Sequence, residues 1–460
     1  MPTPFDAIVI GTGQAGPPLA RRLTEEGLKT AVVERQHFGG TCVNVGCIPT
    51  KALVASAHAA HLARRAGDFG IAIDAPVRVD MKAVIERKNS IVARSRQGVQ
   101  RSMERLALGT VYRGHARFEG PKTVRIGGDL ITAERIFINT GARAAIPHIP
   151  GLDQVGYLTN STLMALDVLP AHLLILGGSY IGLEFAQMYR RFGSRVTVVE
   201  AGERLIARED ADVSQAVRQI LEKEGIEMHL NAQRVAVEKN PAGIAMSFDA
   251  GGRAQNVVAS HLLVAVGRQP NSDDLGVDAA GIRTDERGYI TVDEQLETSV
   301  PGVWAMGDVN GRGAFTHTSY NDFEIVAANL FDKDSRRVGD RIACYGLFID
   351  PPLGRVGKND REVHEAGVQV LTAKLAMTSV GRARLIGETD GFMKVTVEAA
   401  SKRILGAAIL GAHGDEVVQS FLGVMAAGAP YTVIARGMYI HPTVAEYLPT
   451  LFEDLKPVPR

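Results

Sequence analysis

Two of the three cysteines of this chain lie five positions apart in a glycine-rich segment, Gly39 to Lys51, which reads GGTCVNVGCIPTK. In a reducing compartment a close cysteine pair is more often catalytic or metal-binding than structural. The spacing fits a disulfide across the distorted first turn of a helix that has Pro49 near its start. Lys51 would then lie on the helix face of Cys47, where its ammonium could stabilise a thiolate or a reduced, anionic cofactor. The pattern predicts a redox-active pair, Cys42 and Cys47.

Two other interpretations of the pair remain open at this point. The cysteines could be two buried thiols, or they could be half of a zinc site, which would need two further ligands. The third cysteine, Cys344, stands by itself in the apolar segment RIACYGLFID, where a core thiol is expected. We therefore predict no metal site.

The elements that would position this chemistry appear as an internal repeat. DAIVIGTGQAGPPLARRL and HLLILGGSYIGLEFAQMYRRFG each read as a buried strand, a tight glycine turn and a helix. In both copies an acid at the end of the next strand lies 18 residues after the third small residue. The first copy has Gly11, Gly13, Gly16 and Glu34, and the second has Gly177, Ser179, Gly182 and Glu200.

Such turns bind dinucleotides, because the glycines let a pyrophosphate approach the helix N-terminus and the acid accepts hydrogen bonds from the ribose. Pro17 and Pro18 are tolerated in the first helical turn, and Ser179 is small enough to replace the middle glycine of the second copy. A pair of α/β turns without ligands is the alternative. If one of the two dinucleotides is a flavin and the other a nicotinamide, the chain can pass a hydride to the flavin and then two electrons to a disulfide of the cysteine pair.

Composition excludes several other classes of function. Lys and Arg total 51 and Asp and Glu also total 51, so no polyanionic partner such as nucleic acid is expected. The longest uncharged apolar stretch, Phe421 to Ala435, is 15 residues long, contains Pro430 and is too short to span a bilayer. The first residues show no signal peptide. We expect a cytoplasmic protein without a membrane partner.

Taken together, these motifs resemble the FAD-dependent pyridine nucleotide–disulfide oxidoreductases, the family of glutathione reductase, dihydrolipoamide dehydrogenase and mercuric reductase. The resemblance covers essentially the whole chain, and GGTCVNVGCIPTK matches the redox motif of the family nearly letter for letter. It implies that Cys42 meets the substrate, that Cys47 faces the flavin, and that Lys51 lies near flavin N5. It further implies that Glu184 pairs with this lysine and that Tyr180 covers the flavin until nicotinamide displaces it.

The same resemblance assigns further residues to the cofactors. RGHARF would contact the adenine of FAD, and VWAMGDV would bind its ribityl and diphosphate region. Two further segments, in which a strand ends at a glycine, would mark the places where the chain crosses between the FAD and NAD domains. The FAD residues it implies, beside the first glycine turn, are Gly40, Thr41, Gly114, His115, Thr140, Gly141 and Asp308. Gly267 is assigned to the nicotinamide side.

The C-terminal motif HPTVAE resembles the acid–base dyad of the family. The resemblance implies that His441 exchanges a proton with Cys42 or with the leaving thiol, and that Glu446 orients the imidazole. In the family this histidine acts on the disulfide of the other subunit. The resemblance therefore predicts a homodimer whose active site needs both chains.

The segment LFIDPPLGRVG and the tail look most like the mercuric-reductase-like and RclA-like branch of the family. The cysteine pair expected at the C-terminus of mercuric reductases is missing from the end, LKPVPR, which predicts poor mercuric reduction. We predict an oxidoreductase that passes electrons from NAD(P)H, with NADH preferred, through FAD and the Cys42–Cys47 disulfide to a small disulfide or thiol-bound acceptor. A reductase of Hg(II) or Cu(II) and a flavoprotein redox sensor are the alternatives.

The predicted fold class is α/β, with two Rossmann-like dinucleotide-binding domains for FAD and NAD and a C-terminal α+β dimerisation domain. We place the first FAD-binding segment, with the cysteine pair, at 1–150 and the NAD(P)-binding domain at 151–272. A second FAD-binding, central segment follows at 273–340, and the dimerisation domain at 341–460.

Overall fold

The structure is a computed structural model that describes residues 1–458 of the chain. The first strands, β1 to β7, are Thr3–Ile10, Thr30–Glu34, Gly109–Arg113, Ala116–Gly120, Thr123–Ile126, Asp129–Ile138 and Ala142–Ala144. The first helices, α1 to α4, are Gly16–Glu25, Gly40–Asn44, Cys47–Arg64 and Met81–Glu104.

The middle of the chain continues this alternation of strands and helices. Strands β8 to β15 are Tyr157–Leu158, His172–Leu176, Arg195–Val199, Glu227–His229, Gln233–Asn240, Gly243–Ala250, Arg253–Ala259 and His261–Val264. Helices α5 to α7 are Asn160–Leu163, Tyr180–Phe192 and Ala211–Lys223.

The remaining strands and helices form two further groups. Strands β16 and β17 are Arg268–Pro270 and Val303–Ala305, and helices α8 and α9 are Val277–Ala280 and Thr316–Ala327. Strands β18 to β23 are Cys344–Leu347, Leu353–Gly357, Val370–Ala376, Phe392–Glu398, Ile404–Leu410 and Lys456–Pro457. Helices α10 to α15 are Asp360–Glu365, Gly381–Leu385, Gly414–Val417, Gln419–Ala426, Thr432–Ala435 and Leu448–Glu453.

The first sheet has the strand order β3-β2-β1-β6-β5-β4, with β17 also paired to β6. Strands β3, β2, β1, β6 and β17 run parallel, whereas β5 pairs antiparallel to both β4 and β6. Strand β1 is apolar because both of its faces are covered: Val9 packs in one core with Leu19 of α1, and Ile8 packs in another with Phe118 of β4.

The second sheet repeats the parallel arrangement in the order β11-β10-β9-β15-β8. Its central strand β9 is also buried on both faces. Ile175 packs in a core with Leu183 of α6, while Leu174 packs in another with Met246 of the antiparallel sheet β12-β13-β14. The chain passes between the two parallel sheets through β7 and β16, which pair with each other antiparallel.

The C-terminal part is an antiparallel sheet in the order β18-β19-β22-β21-β20-β23. Val395 and Ile409 of this sheet share a core with Phe421 of α13 and Phe452 of α15. No helix within residues 1–458 is long and apolar enough to cross a membrane.

A buried ion cluster fastens the C-terminal sheet to the start of α7. Arg355 is 3% exposed and bonds Glu209 at 2.5 Å and Asp210 at 2.6 Å. Nearby, the carboxylates of Asp210, Asp212 and Asp360 converge, and Lys394 Nζ lies 3.2, 3.3 and 2.5 Å from their oxygens. The lysine therefore supplies the positive charge that these acids require.

Candidate active site

The first glycine turn joins β1 to α1 with almost no space for side chains. A Cβ atom on Gly11 would lie 2.4 Å from the carbonyl oxygen of Asn139, and one on Gly16 would lie 2.2 Å from that of Gly11. Gly11 also has a positive φ of 101°, a conformation that glycine adopts without strain. The tight turn and the close packing of helix on strand thus both depend on glycine.

The second turn, between β9 and α6, reproduces this geometry. A Cβ on Gly177 would lie 2.4 Å from the carbonyl oxygen of Ala265, and one on Gly182 would lie 2.1 Å from that of Gly177. Gly177 has φ 115°, and Ser179 is the extended residue that precedes α6. Ser179 therefore fits at the position where the sequence departs from the glycine pattern of the first turn.

The two acids make matching hydrogen bonds. Glu34 accepts from the amide of Thr12 at 3.1 Å and from that of Gln36 at 2.9 Å. Glu200 accepts from the amides of Gly178 and Gly202 at 2.5 and 2.7 Å. Each carboxylate is thus fixed between its glycine turn and the residue two positions later, and its remaining lone pairs can accept ribose hydroxyls.

A cavity opens at the first turn. Eight of the FAD residues expected from the sequence line it: Gly11, Gly13, Glu34, Gly40, Thr41, Gly114, His115 and Thr140. Gly16, Gly141 and Asp308 do not line it. The sequence reasoning missed Asn139, which also lines the cavity, accepts from the Gly16 amide at 3.0 Å and donates to the Met306 carbonyl at 2.9 Å. The only sequence signal that could have identified Asn139 was its position directly before Thr140.

Asp308 lies in the turn after β17 and forms an ion pair at 3.3 Å with Arg268, the residue after Gly267. Burial raises the pKa of the Asp308 carboxyl, and the charge of Arg268 opposes that rise. Gly141 and Gly267 have φ values of 69° and 153° and lie directly before β7 and β16. Both glycines therefore lie where the chain crosses between the two parallel sheets.

The cysteine pair lies where two helices meet, and here the structure differs from the sequence expectation. Cys42 belongs to the short helix α2, while Cys47 is the first residue of α3. The break occurs at Gly46, whose φ of −133° and ψ of −121° are not helical. Both cysteines are free thiols, with Cys42 half-buried and Cys47 exposed. The structure thus describes a reduced pair on two helices, not a pair within one distorted helical turn.

The surroundings of the pair favour a thiolate on Cys47. The neighbouring Cys42 thiol, the Thr316 hydroxyl and the charge of Lys51 together lower the pKa of Cys47 to about 6, although the surrounding protein partly desolvates the sulfur and opposes them. The same pairing, together with burial, raises the pKa of Cys42. Thr316 Oγ1 lies 3.1 Å from Cys47 Sγ and begins α9, so the positive end of the helix dipole also faces the sulfur. Sequence reasoning missed Thr316.

Replacing Thr316 with valine should therefore raise the pKa of Cys47. The thiolate loses a hydrogen bond worth about 1.5 kcal/mol, which corresponds to a rise of about one pH unit. The Cys47 thiolate, which forms above about pH 6 in the native protein, would then appear at higher pH. The pH dependence of alkylation of reduced Cys47 measures this change. Thr318→Val is the control, because Thr318 lies in the same helical turn but its hydroxyl donates to the Phe315 carbonyl. An equal change in the pKa of Cys47 in both variants would contradict the role of Thr316.

Lys51 and Glu184 come together from α3 and α6. Lys51 Nζ lies 3.0 and 2.8 Å from the two carboxylate oxygens of Glu184, whose side chain is only 7% exposed. Tyr180, the first residue of α6, makes edge contacts with the rings of Phe315 and Tyr345. Glu184 and Tyr180 are thus both carried by the helix that follows the second glycine turn, and Lys51 reaches this helix from α3.

His441 and Glu446 form a dyad at the protein surface. His441 Nδ1 lies 2.8 Å from Glu446 Oε2, and the imidazole is 82% exposed, so it has few other contacts with its own chain. Glu446 Oε1 is buried and has no hydrogen-bond partner within residues 1–458. Met438 and Ile440, just before the dyad, are 100% and 80% exposed. An exposed apolar segment beside a poised histidine is typical of a surface that meets another protein chain.

Comparison with known families gives two matches that together span most of the chain. The profile described as "Pyridine nucleotide-disulphide oxidoreductase" matches residues 5–322. The profile described as the dimerisation domain of the same family matches residues 344–452. The first match contains both glycine turns and the cysteine pair, and the second contains the His441–Glu446 dyad.

Individual relatives are similar over nearly their whole length. A probable pyridine nucleotide-disulfide oxidoreductase, RclA, of Escherichia coli is 36% identical over 98% of this chain and 99% of its own. A mercuric reductase of Streptomyces lividans is 36% identical over 97% of this chain and 95% of its own. The solved Cu(II) complex of the HOCl-induced flavoprotein disulfide reductase RclA from E. coli superimposes with a TM-score of 0.88 and 35% identity, over 98% of this chain and 100% of that one.

Proposed function

The chain belongs to the pyridine nucleotide–disulphide oxidoreductase family and is an NAD(P)H-dependent FAD disulfide oxidoreductase, and we propose that it reduces a small disulfide or thiol-bound acceptor at Cys42. The observation that carries the proposal is the unequal setting of the cysteine pair. Cys47 Sγ lies 3.1 Å from Thr316 Oγ1 at the start of α9, which favours the thiolate on Cys47 and leaves the proton on Cys42. A thiol that can be deprotonated when needed, beside a stabilised thiolate, suits exchange with a disulfide.

The residues of the first turn fit FAD, since the close backbone approach at Gly11 and the fixed carboxylate of Glu34 match the needs of a dinucleotide. The chemistry that FAD supplies when bound is to accept a hydride from NAD(P)H and to pass two electrons to the disulfide. Asp308 and Arg268 would hold the ribityl region, and Glu200 would hold the ribose of the nicotinamide nucleotide. Tyr180 would exclude water from the nicotinamide position until NAD(P)H enters.

Proton transfer in the oxidative half is assigned to His441 of one chain acting on Cys42 of another. In our proposal the imidazole takes the proton of the Cys42 thiol, the thiolate attacks one sulfur of the acceptor, and the protonated imidazole returns the proton to the leaving thiol. The Cys47 thiolate then attacks the Cys42 sulfur of the mixed disulfide. This attack re-forms the Cys42–Cys47 disulfide and releases the second thiolate, which takes one proton from solvent. Glu446 holds His441 Nδ1, so that Nε2 faces outwards. NAD(P)H, one proton and one disulfide thus give NAD(P)⁺ and two thiols.

An anaerobic acceptor screen tests the class of acceptor. Oxidised glutathione, lipoamide, mycothiol-type disulfides, Hg(II) and Cu(II) are each supplied with NADH, and the rate of NADH oxidation is measured. Rapid turnover with at least one disulfide supports the proposal. Turnover with metal ions but with none of the disulfides would contradict it, and no steady turnover with any acceptor would favour a redox sensor.

Reduction of Cu(II) is the second candidate, because the solved relative is a Cu(II) complex. Both reactions need the Cys42 thiol to lose its proton, but only disulfide reduction also releases a thiolate that must then be protonated. His441→Ala should therefore reduce disulfide turnover by about a hundredfold and leave Cu(II)-dependent NADH oxidation much less affected. Equal losses with both acceptors would indicate that the histidine has no proton-transfer role specific to disulfides.

We expect NADH to be preferred over NADPH, with kcat/KM at least about tenfold higher. The carboxylate of Glu200 is held by the Gly178 and Gly202 amides where a 2′-phosphate would lie, and it would repel that phosphate. Glu200→Ser should narrow the ratio between the two nucleotides. Glu203→Ser removes an exposed carboxylate three residues away and should leave the ratio unchanged.

Two arginines could reverse this preference. Arg204 is half-buried with its guanidinium near the Ala207 carbonyl, and Arg208 is exposed. A higher kcat/KM with NADPH in the wild-type enzyme would contradict the prediction and indicate that one of these arginines binds the phosphate.

A further inference from the structure

The Lys51–Glu184 pair has a third member from the C-terminal part of the chain. The backbone amide of Phe348, the residue after β18, donates to Glu184 Oε1 at 3.0 Å. Lys51 Nζ lies 4.3 Å from the centroid of the Phe348 ring. The ammonium is thus held between a buried carboxylate and an aromatic face. The contact joins α3, α6 and the dimerisation domain at one point.

The segment that carries Phe348 is itself firmly held. The Asp350 amide donates to Gln187 Oε1 at 2.7 Å, and the Gln187 amide group donates to the Asp350 carbonyl at 2.7 Å. The Asp350 carboxylate lies 2.5 Å from Arg191 and 2.6 Å from His58. Because residues 184, 187 and 191 share one face of α6, this face and α3 together fix the path of residues 348–350. The position of the phenyl ring is therefore set by the fold and not by Lys51.

The ring matters because the lysine is less constrained than its partner. The Lys51 side chain is 34% exposed, whereas that of Glu184 is 7% exposed. A partly exposed lysine on four rotatable bonds can adopt several positions around one carboxylate. An aromatic face on one side removes many of these positions and attracts the cation through the ring quadrupole.

We propose that Phe348 is a positioning residue for Lys51, holding its ammonium beside the reacting part of the flavin through the ring face and the shared Glu184. The inference rests on the proposed placement of Lys51 next to the flavin. It gives the dimerisation domain a part in the reductive half of the reaction, in addition to the His441–Glu446 dyad of the oxidative half.

Phe348→Leu tests the inference by removing the ring while keeping an apolar side chain. We expect flavin reduction at saturating NADH to slow by roughly fivefold, with little change in KM. The flavin midpoint potential, measured by dye equilibration, should fall because a positive charge near the reduced flavin is no longer fixed. Phe348→Tyr keeps the ring and should restore both values. If the leucine variant binds little FAD, Phe348→Met provides a second side chain without a ring.

The chain offers a matched control in Phe392 of the C-terminal sheet, because Lys374 Nζ lies 3.6 Å from the centroid of its ring. Phe392→Leu removes the same kind of contact from a buried phenylalanine in the same domain. It should change neither the rate of flavin reduction nor the potential. A loss caused by general disturbance of this domain would appear in both variants.

A double-mutant cycle with Lys51→Met distinguishes a failure of the inference about Phe348 from a failure of the proposed role of Lys51. We expect Phe348→Leu to have no further effect once Lys51 is methionine. If Lys51→Met slows flavin reduction but Phe348→Leu behaves like Phe392→Leu, the inference is overturned and the role of Lys51 stands. If Phe348→Leu has its full effect in the Lys51→Met background, the ring acts by another route and the inference is again overturned. If Lys51→Met leaves rate and potential unchanged, both the inference and the proposed role of Lys51 fail.

Discussion

Cys42→Ser is expected to lower the turnover of disulfide acceptors by at least about a thousandfold, because it removes the nucleophile of the exchange reaction. Cys47 should remain a thiolate near neutral pH, since the serine hydroxyl can donate to it in place of the Cys42 thiol and Thr316 and Lys51 still stabilise it. The variant with FAD bound should therefore show, without added reductant, the long-wavelength absorbance of a thiolate beside oxidised flavin.

Cys47→Ser should also lose turnover, but it should lack this absorbance. The third cysteine provides the control: Cys344→Ser, in β18, should retain both turnover and the absorbance of the reduced native enzyme. If the band appears in Cys47→Ser and not in Cys42→Ser, the roles of the two cysteines are reversed. The measurement needs only an absorption spectrum of each purified variant and a rate with one disulfide acceptor.

His441→Ala is expected to reduce disulfide turnover by about a hundredfold or more, as the loss of a general acid–base catalyst does. In our proposal the exposed imidazole of His441, held by Glu446, acts on Cys42 of a neighbouring chain. Mixing subunits that carry Cys42→Ser with subunits that carry His441→Ala therefore gives a sharper test. If each active site combines residues of two chains, every hybrid dimer has one site with both lesions and one site with an intact cysteine and an intact histidine.

Random reassociation should restore about a quarter of wild-type turnover, because half the dimers are hybrids and each has one working site of two. In a control, His364→Ala replaces His441→Ala and removes another exposed histidine, on α10. This variant measures the effect of removing a surface histidine, and it should stay active as a homodimer. No recovery of activity, with subunit exchange verified by native mass measurement, would leave His441 acting within its own chain or as a structural residue.

Local sequence patterns predicted much of this architecture because they reflect local physics. The spacing of Glu34 and Glu200 behind their glycines predicted equivalent roles, and both carboxylates hydrogen-bond the glycine turn 22 residues earlier. The family, the α/β fold class with its dimerisation domain, the oxidoreductase activity and the cofactors FAD and NAD(P)H are confirmed. The site residues, the domain boundaries and the preference for NADH remain predictions.

Contacts between segments that are distant in the sequence could not be predicted from local patterns. Thr316 lies 269 residues from Cys47, and Phe348 lies 164 residues from Glu184. No periodicity or turn signal links such positions, because tertiary packing alone brings them together. The break at Gly46 was missed for a local reason. The segment has the composition of a helix start, and its non-helical backbone accompanies a contact so close that a Cβ on Gly46 would lie 2.9 Å from the Thr41 carbonyl oxygen.

The number of electrons that the oxidised enzyme accepts tests the central claim most directly, namely that the Cys42–Cys47 disulfide takes electrons from the flavin. Anaerobic titration with dithionite should consume about four electrons per FAD in the wild-type enzyme, since the flavin and the disulfide take two each. Cys42→Ser should consume about two, and Cys344→Ser should consume the full four. A wild-type enzyme that accepts only about two electrons per FAD would contradict the account, because its cysteine pair would then take no part in electron transfer.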